Sequence, residues 1–248
     1  MKCLVDSMVI EYEDLGEGPS ILLLHGWGND LHSFDKLAES LQSLYRVVRL
    51  DLPGFGGSTR PERWNLDSYV NFVKSFLQKI DCEPSVLIGH SFGGRIIIKG
   101  VASGKLLADK LIMIAPAGVS VVRSRRKFFQ MLAKVGGLLS LIPPFLFWRT
   151  KIKHWFYKAI DSDYHSAGSM KDIFGSVTGE DLSASASKLK NPTLLVWGRE
   201  DVVTPLADGE LLHRLIADSQ LEIIENAGHF AHLEKPEEVE KVIMNFIK

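Results

Sequence analysis

Residues 89–94 have the sequence Gly-His-Ser-Phe-Gly-Gly, in which Ser91 has a glycine two positions before it and another two positions after it. The apolar run at residues 85–88 predicts a buried strand before it, and residues 95–102 predict a helix packed on a sheet after it. A strand that turns directly into a helix strains the backbone of the residue at the turn and exposes its side chain. The segment therefore predicts a strand–turn–helix unit that presents the Ser91 hydroxyl as a nucleophile.

We expect a steric role for Gly89 and Gly93, because a Cβ atom at either position would collide where strand, turn and helix meet. The alternative is a glycine-rich loop with an incidental serine, since the G-x-S-x-G pattern is short enough to arise by chance. Other parts of the chain must therefore supply the partners that a nucleophilic serine needs.

Short apolar runs alternate with longer helical segments along most of the chain. The predicted strands are residues 9–13, 21–24, 46–50, 85–88, 110–114, 193–197 and 221–224, and the predicted helices are residues 34–44, 66–80, 95–102 and 236–247. Such alternation predicts an α/β fold, with a mostly parallel twisted sheet and helices on both of its faces.

Residues 119–187 interrupt this alternation. Lysine, arginine and aromatic residues are frequent between residues 123 and 158, where no aspartate or glutamate occurs, and a serine-alanine tract at residues 183–187 ends the stretch. We interpret residues 119–187 as a helical insertion over the carboxyl edge of the sheet, where open α/β sheets bind ligands. The core domain would then comprise residues 1–118 and 188–248.

The composition is that of an ordinary globular protein. The 248 residues are 46% hydrophobic and 24% charged, which is enough for one large α/β domain with an insertion. The net charge of -1 gives the molecule as a whole no strong attraction to nucleic acid, so we expect no nucleic-acid partner. The histidines and carboxylates do not cluster at metal-ligand spacing, and no phosphate-binding glycine loop opens a helix, so we expect no metal and no cofactor.

The sequence favours a cytoplasmic location. Cys3 and Cys82 are too few for a disulfide framework, which favours a reducing compartment. Asp6 precedes any apolar stretch of signal-peptide length. The most apolar segment, residues 135–148, is broken by prolines and falls short of the roughly 20 residues that cross a bilayer.

A serine hydroxyl needs a base within hydrogen-bond reach and a group that orients the base. His229 lies in a polar, glycine-containing loop directly after the last predicted strand, where catalytic groups are often carried. His232 is the competing base. We prefer His229 because it adjoins Gly228 and precedes the start of the last helix.

Asp201 is the predicted orienting acid, because it lies just past the turn at Gly198 that follows another apolar strand. Glu200 is adjacent but would point elsewhere in an extended loop. Glu225 ends a different strand and is the weaker alternative. Each of the three carboxylates could also be an ordinary solvated surface group.

In chain order, Ser91, Asp201 and His229 each follow a strand, and this order resembles the α/β-hydrolase fold superfamily. Residues 25–28 (His-Gly-Trp-Gly) resemble its oxyanion loop, and residues 51–58 resemble its D-x-P-G-x-G-x-S turn. The resemblance covers nearly the whole chain except the insertion. It implies a helical cap at residues 119–187, where substrate choice should reside.

The resemblance also implies an oxyanion hole formed by two backbone N–H groups. The N–H of Phe92 follows the nucleophile at the start of a helix, and the second N–H is that of Trp27. We expect His25 to shape the oxyanion loop and residues 51–58 to form a structural turn beside the pocket.

The expected activity is hydrolysis of a carboxylic ester, or of a thioester or amide, in a small and largely apolar substrate. Hydrolysis of a C–C bond and perhydrolase chemistry would use the same three residues, and a non-hydrolytic ligand receptor or interaction protein on the same scaffold is a further alternative. Ser91 argues against haloalkane dehalogenases and epoxide hydrolases, which resemble this fold but carry aspartate at the nucleophile position.

A separate hypothesis is that the basic residues 123–127 of the cap approach anionic lipid. The simpler interpretation of these residues is a solvated helix face.

Overall fold

A computed structural model describes residues 1–120 and 170–248. The strands are β1 (Lys2–Val5), β2 (Met8–Leu15), β3 (Ser20–Leu24), β4 (Arg46–Leu50), β5 (Val86–His90), β6 (Lys110–Ile114), β7 (Thr193–Gly198) and β8 (Ser219–Ile224). The described α-helices are α1 (Asp35–Leu41), α2 (Leu66–Lys79), α3 (Phe92–Ala102), α4 (Lys171–Thr178), α5 (Ser183–Ala186), α6 (Leu206–Leu215), α7 (Ala231–Glu234) and α8 (Pro236–Ile247). A 3-10 helix at Leu31–Phe34 leads into α1.

The eight strands form one sheet in the order β1-β2-β4-β3-β5-β6-β7-β8. The six strands from β4 to β8 in this order are parallel, whereas β1 and β2 pair antiparallel at one end. The predicted class, a mostly parallel sheet with helices, is confirmed.

The parallel strands β3 to β7 are buried on both faces of the sheet, as their continuous apolar runs require. In β3, Leu22 and Leu24 face the hydrophobic cluster that contains α2, α3 and α6, whereas Ile21 and Leu23 face the cluster that contains α1 and α8. Alternate residues of a strand point to opposite faces, so one five-residue strand contributes to two cores.

Several described elements were not among the sequence predictions, and three of them have clear physical reasons. Strand β1 was not predicted because it is a four-residue edge strand in which only Val5 is buried. Helix α6 was missed between β7 and β8. It contains Gly209, where a Cβ atom would lie 2.7 Å from the Trp197 ring, so close helix–sheet packing places a weak helix former inside a helix. The serine-alanine tract forms α5, and Asp181, two residues before this helix, accepts hydrogen bonds from the backbone N–H and the hydroxyl of Ser183.

The described end of the predicted insertion packs into the main core. Met170, Ile173 and Val177 of this segment belong to the same hydrophobic cluster as α2 and α3. The backbone N–H of Leu182 donates to the carbonyl of Gly118, so the two ends of the insertion meet (2.9 Å). The boundaries at residues 118 and 188 remain a prediction, and the basic residues 123–127 lie outside the described residues. Among the described helices, none has the length and apolar character needed to cross a membrane.

Candidate active site

The predicted site residues all follow parallel strands at the carboxyl edge of the sheet. Trp27 follows β3, Ser91 follows β5, Asp201 follows β7 and His229 follows β8. Strands β3 and β5 are neighbours, as are β7 and β8, and β6 separates the two pairs. The carboxyl ends of parallel strands meet at one edge, so the sheet topology brings the four loops to the same side of the molecule.

Ser91 lies at the turn between β5 and α3 with φ 47° and ψ -103°. A positive φ is a strained conformation for a residue with a side chain. Backbone hydrogen bonds hold it there: the N–H of Ser91 donates to the carbonyl of Ile114 (3.0 Å), and its own carbonyl accepts from Arg95 (3.2 Å) and Ala117 (3.3 Å). The predicted strand–turn–helix unit is confirmed.

The predicted steric role of the flanking glycines is also confirmed. A Cβ atom at Gly89 would lie 2.6 Å from the backbone carbon of Gly93. A Cβ atom at Gly93 would collide with the carbonyl oxygen of Leu24 at the end of β3. Because backbone atoms are involved in both cases, no side-chain rearrangement could relieve the contact.

The structure joins Asp201 to His229. Oδ2 of Asp201 lies 2.8 Å from Nδ1 of His229, and the aspartate side chain is fully buried. Oδ1 accepts from the N–H groups of Val203 and Thr204 (2.8 Å each), and the Thr204 hydroxyl donates to Oδ2 (2.8 Å). Both oxygens of the carboxylate therefore accept hydrogen bonds, and the donors stabilise its charge and fix its orientation.

Among the described residues, no hydrogen bond joins the Ser91 hydroxyl to His229, whose Nε2 is without a partner. In hydrolases without bound substrate, the serine hydroxyl and the histidine nitrogen are often farther apart than hydrogen-bond distance. The connection between the two loops runs instead through His90, whose Nε2 lies 3.0 Å from the carbonyl oxygen of His229.

The two predicted oxyanion donors are Phe92, the first residue of α3, and Trp27, in the loop after β3. The backbone N–H groups of Trp27 and Phe92 have no hydrogen-bond partner within the described residues. Phe92 begins α3, whose positive dipole end adds to the attraction for an anion. The Trp27 and Phe92 rings contact each other with centroids 5.4 Å apart, so the two loops pack directly together.

The competing candidates are placed elsewhere. Glu225 is exposed and forms a bidentate ion pair with Arg199 (2.6–2.8 Å) instead of contacting His229. Glu200 is also exposed. His232 is buried against Phe34 and His90, and neither of its ring nitrogens has a partner among the described residues. Burial lowers the pKa of His232 to about 3, which makes it a poor base near neutral pH.

His25 holds the loop after β3 against residue 52, which agrees with its expected structural role. Its Nδ1 donates to the carbonyl of Gly26 (2.8 Å), and its Nε2 accepts from the N–H of Leu52 (2.9 Å). Burial lowers the pKa of His25, so the ring stays neutral in this role. Asp51 likewise accepts from the N–H groups of Leu31 (2.8 Å) and Gly57 (2.7 Å), which supports the structural interpretation of residues 51–58.

The sequence analysis missed Thr204 and His90 as site residues. The spacing of Asp201 and Thr204 was a usable signal, because an aspartate often accepts from backbone and side-chain groups two and three residues later. His90 carried no such signal, since its partner is 139 residues away in sequence.

A model of the alpha/beta hydrolase family matches residues 21–242, which include all four site loops. The chain belongs to the alpha/beta hydrolase family. The resemblance drawn from the sequence motifs is thereby confirmed. The AB hydrolase superfamily protein YisY of Bacillus subtilis is 29% identical over 257 residues, covering 94% of this chain and 93% of that protein. Human monoacylglycerol lipase ABHD6 is 26% identical over 259 residues, covering 94% of this chain and 76% of the lipase.

Solved structures agree with this assignment. A bacterial membrane phospholipase A is 26% identical with a TM-score of 0.78, covering 100% of this chain and 84% of that one. The meta-cleavage product hydrolase CumD is 22% identical with a TM-score of 0.75, covering 100% of this chain and 97% of that one, and shows a shared fold alone.

Proposed function

We propose that this protein is a serine hydrolase that cleaves a carboxylic ester of a small, largely apolar substrate through an acyl-enzyme on Ser91. The observation that carries the proposal is the 2.8 Å contact between Oδ2 of the buried Asp201 and Nδ1 of His229. A carboxylate can only accept, so Nδ1 carries the proton and Nε2 is left free to take one. His229 is therefore held in the tautomer that a general base requires.

In the proposed reaction, His229 Nε2 accepts the proton of the Ser91 hydroxyl as its oxygen attacks the ester carbonyl carbon. The N–H groups of Trp27 and Phe92 stabilise the negative oxygen of the tetrahedral intermediate, and each donor contributes roughly 3 kcal/mol in comparable enzymes. The imidazolium then gives its proton to the departing alcohol. A water molecule, deprotonated by His229, releases the acid and restores Ser91.

The preference for an apolar substrate rests on the aromatic side chains beside the oxyanion loop. The Trp27 ring contacts the rings of Phe55 (4.9 Å between centroids), Phe92 (5.4 Å) and Phe174 of α4 (5.0 Å). Rings at this position favour burial of hydrocarbon over charged groups. The names of two relatives, a monoacylglycerol lipase and a phospholipase A, also describe the cleavage of acyl esters.

The cytoplasmic location expected from the sequence is also part of this proposal. The described structure adds that Cys82 is buried and Cys3 is half-buried, and both are free thiols. Thiols that remain unpaired are the usual state in a reducing compartment.

The test is a panel of p-nitrophenyl esters from acetate to palmitate, with a dienoic ketone alongside. We expect ester turnover that falls by about 1,000-fold or more in Ser91→Ala, His229→Ala and Asp201→Asn. Glu225→Gln is the matched control and should retain near-normal turnover, because Glu225 pairs with Arg199 at the surface.

Four outcomes would contradict the proposal. Ester turnover that survives Ser91→Ala would show that Ser91 is not the nucleophile. Equal loss of turnover in Glu225→Gln and Asp201→Asn would show that the assignment of Asp201 as the orienting acid is wrong. Cleavage of the ketone in preference to every ester would indicate a C–C bond hydrolase, whereas no turnover of any compound would favour a ligand receptor.

A further inference from the structure

His90 occupies the last position of β5, directly before Ser91, and its side chain is almost completely buried. Its Nε2 lies 3.0 Å from the carbonyl oxygen of His229. Because a carbonyl oxygen only accepts, Nε2 carries the ring proton and donates it. The imidazole ring of His90 also contacts that of His229, with centroids 4.9 Å apart. The side chain therefore joins the nucleophile turn to the loop of the base.

The same ring touches the oxyanion loop from its other side. A Cβ atom at Gly26 would lie 2.6 Å from Nδ1 of His90, so the backbone of Gly26 packs directly on the ring. Gly26 immediately precedes Trp27, whose N–H is the proposed oxyanion donor. His90 is therefore in contact with the loops of two proposed catalytic groups and is covalently adjacent to a third.

A histidine at this position has an energetic cost. Its Nδ1 is buried and has no hydrogen-bond partner among the described residues. A buried acceptor without a partner typically costs about 1–3 kcal/mol, which an apolar side chain of similar size would avoid. The cost is offset only if the hydrogen bond that Nε2 donates contributes to stability or to the reaction.

The environment also keeps the ring uncharged. Burial, together with the neighbouring His232 and His229, holds the pKa of His90 well below its usual value. A neutral ring can donate to the His229 carbonyl without repelling the imidazolium that forms when His229 accepts the serine proton.

From these contacts we infer that His90 is a positioning residue for the reaction, which holds the His229 loop in register with Ser91 and the oxyanion loop. The inference rests on the proposed function. The hydrogen bond to the His229 carbonyl fixes the distance between base and nucleophile, and the contact with Gly26 fixes the oxyanion loop against the same ring. Misplacement by about 1 Å can cost on the order of 100-fold in rate.

The test compares His90→Gln with His90→Phe. The glutamine amide nitrogen can occupy the place of Nε2 and still donate to the His229 carbonyl, whereas phenylalanine fills the same volume without a donor. For a short p-nitrophenyl ester, we expect His90→Phe to lower kcat about 10- to 100-fold with KM changed less than about twofold. We expect His90→Gln to recover most of the loss. A fluorophosphonate should label Ser91 more slowly in His90→Phe by a similar factor.

His232→Phe is the matched control, because His232 is a buried neighbour of the same ring and its two ring nitrogens have no hydrogen-bond partner among the described residues. It should leave kcat near the wild-type value. If His90→Phe does not fold, judged by circular dichroism and thermal melting, His90→Asn replaces it. Asparagine keeps the amide but is too short to reach the His229 carbonyl, so it should not restore the rate as glutamine does.

Wild-type kcat in His90→Phe, or in His90→Asn where that variant replaces it, would overturn the inference. So would a His90→Gln variant no faster than the donor-deficient one. Failure of the proposed function has a different signature, because the wild-type protein would then show no labelling of Ser91. That result would overturn both proposals, whereas normal labelling that is indifferent to His90 would overturn this one alone.

Discussion

At the scale of single residues, the site depends on donors that surround the Asp201 carboxylate. The sequence alone predicted Ser91, Asp201 and His229 as the site residues, because acyl transfer needs a nucleophile, a base and an orienting acid at strand ends. It preferred Asp201 to Glu225 only because of the position of each carboxylate relative to its strand and turn. Burial and pairing support that choice, since Asp201 is buried against His229 whereas Glu225 is paired with Arg199. Contacts between loops that are distant in sequence, such as those of His90, could not be predicted because no local sequence pattern indicates them.

Thr204 gives the first residue-scale prediction. Its hydroxyl donates to Oδ2 of Asp201, the oxygen that also contacts His229. Thr204→Val removes this donor while keeping the side-chain shape, so we expect stability to fall by about 1–3 kcal/mol. Without the donor that fixes the carboxylate, kcat should fall about tenfold with little change in KM.

Thermal unfolding and steady-state kinetics on a short ester measure the two effects. Thr204→Ser retains the hydroxyl and should behave nearly as the wild type in kcat. A Thr204→Val variant with unchanged kcat would show that the backbone donors of Val203 and Thr204 orient Asp201 without help.

At the scale of elements, the apolar runs predicted the parallel strands to within a residue or two, because strands buried on both faces are continuously apolar. Helix α6 could not be predicted in the same way. Gly209 weakens its helical pattern, and the reason for this glycine is the Trp197 ring of β7 beneath it. The packing of α3 on β3 is similarly governed by a glycine.

Gly93→Ala tests that packing. A Cβ atom at Gly93 would collide with the carbonyl of Leu24, so β3 and α3 must separate. Overpacking of this kind typically costs about 1–3 kcal/mol, and we expect a lower Tm together with a loss of ester turnover because the nucleophile turn moves. Gly175→Ala in α4 is the control, since nothing lies within 4 Å of its Cβ position. It should be neutral or stabilising by up to about 1 kcal/mol. Equal Tm values for the two variants would contradict this account of the packing.

At the scale of the whole molecule, buried neutral histidines connect stability to pH. Burial is the largest cause that lowers the pKa values of His25, His90 and His232, the last to about 3. In the unfolded chain these histidines take up a proton below about pH 6.5, whereas in the folded protein they take it up only at lower pH. The unfolded state therefore binds more protons, and the free energy of unfolding decreases as pH falls through this range.

We predict that the free energy of unfolding decreases steeply as the pH is lowered, and that His232 contributes to this decrease. Between about pH 6.5 and pH 3, His232 contributes about 1.4 kcal/mol per pH unit. His232→Phe should retain the ring contact with Phe34 and give a shallower dependence of the free energy of unfolding on pH, measured by urea titration at intervals of pH. His32→Gln, at an exposed histidine, controls for the loss of a histidine as such. Identical slopes for His232→Phe and the wild type would refute the prediction.

The central claim is that Ser91 is an activated nucleophile, and its most direct measurement is the intact mass of the protein after exposure to a fluorophosphonate near neutral pH. The account predicts one added phosphonyl group, mapped by peptide sequencing to Ser91, with labelling abolished in Ser91→Ala and strongly slowed in His229→Ala. No labelling of the folded wild-type protein, or labelling that persists in Ser91→Ala at the same rate, would contradict it.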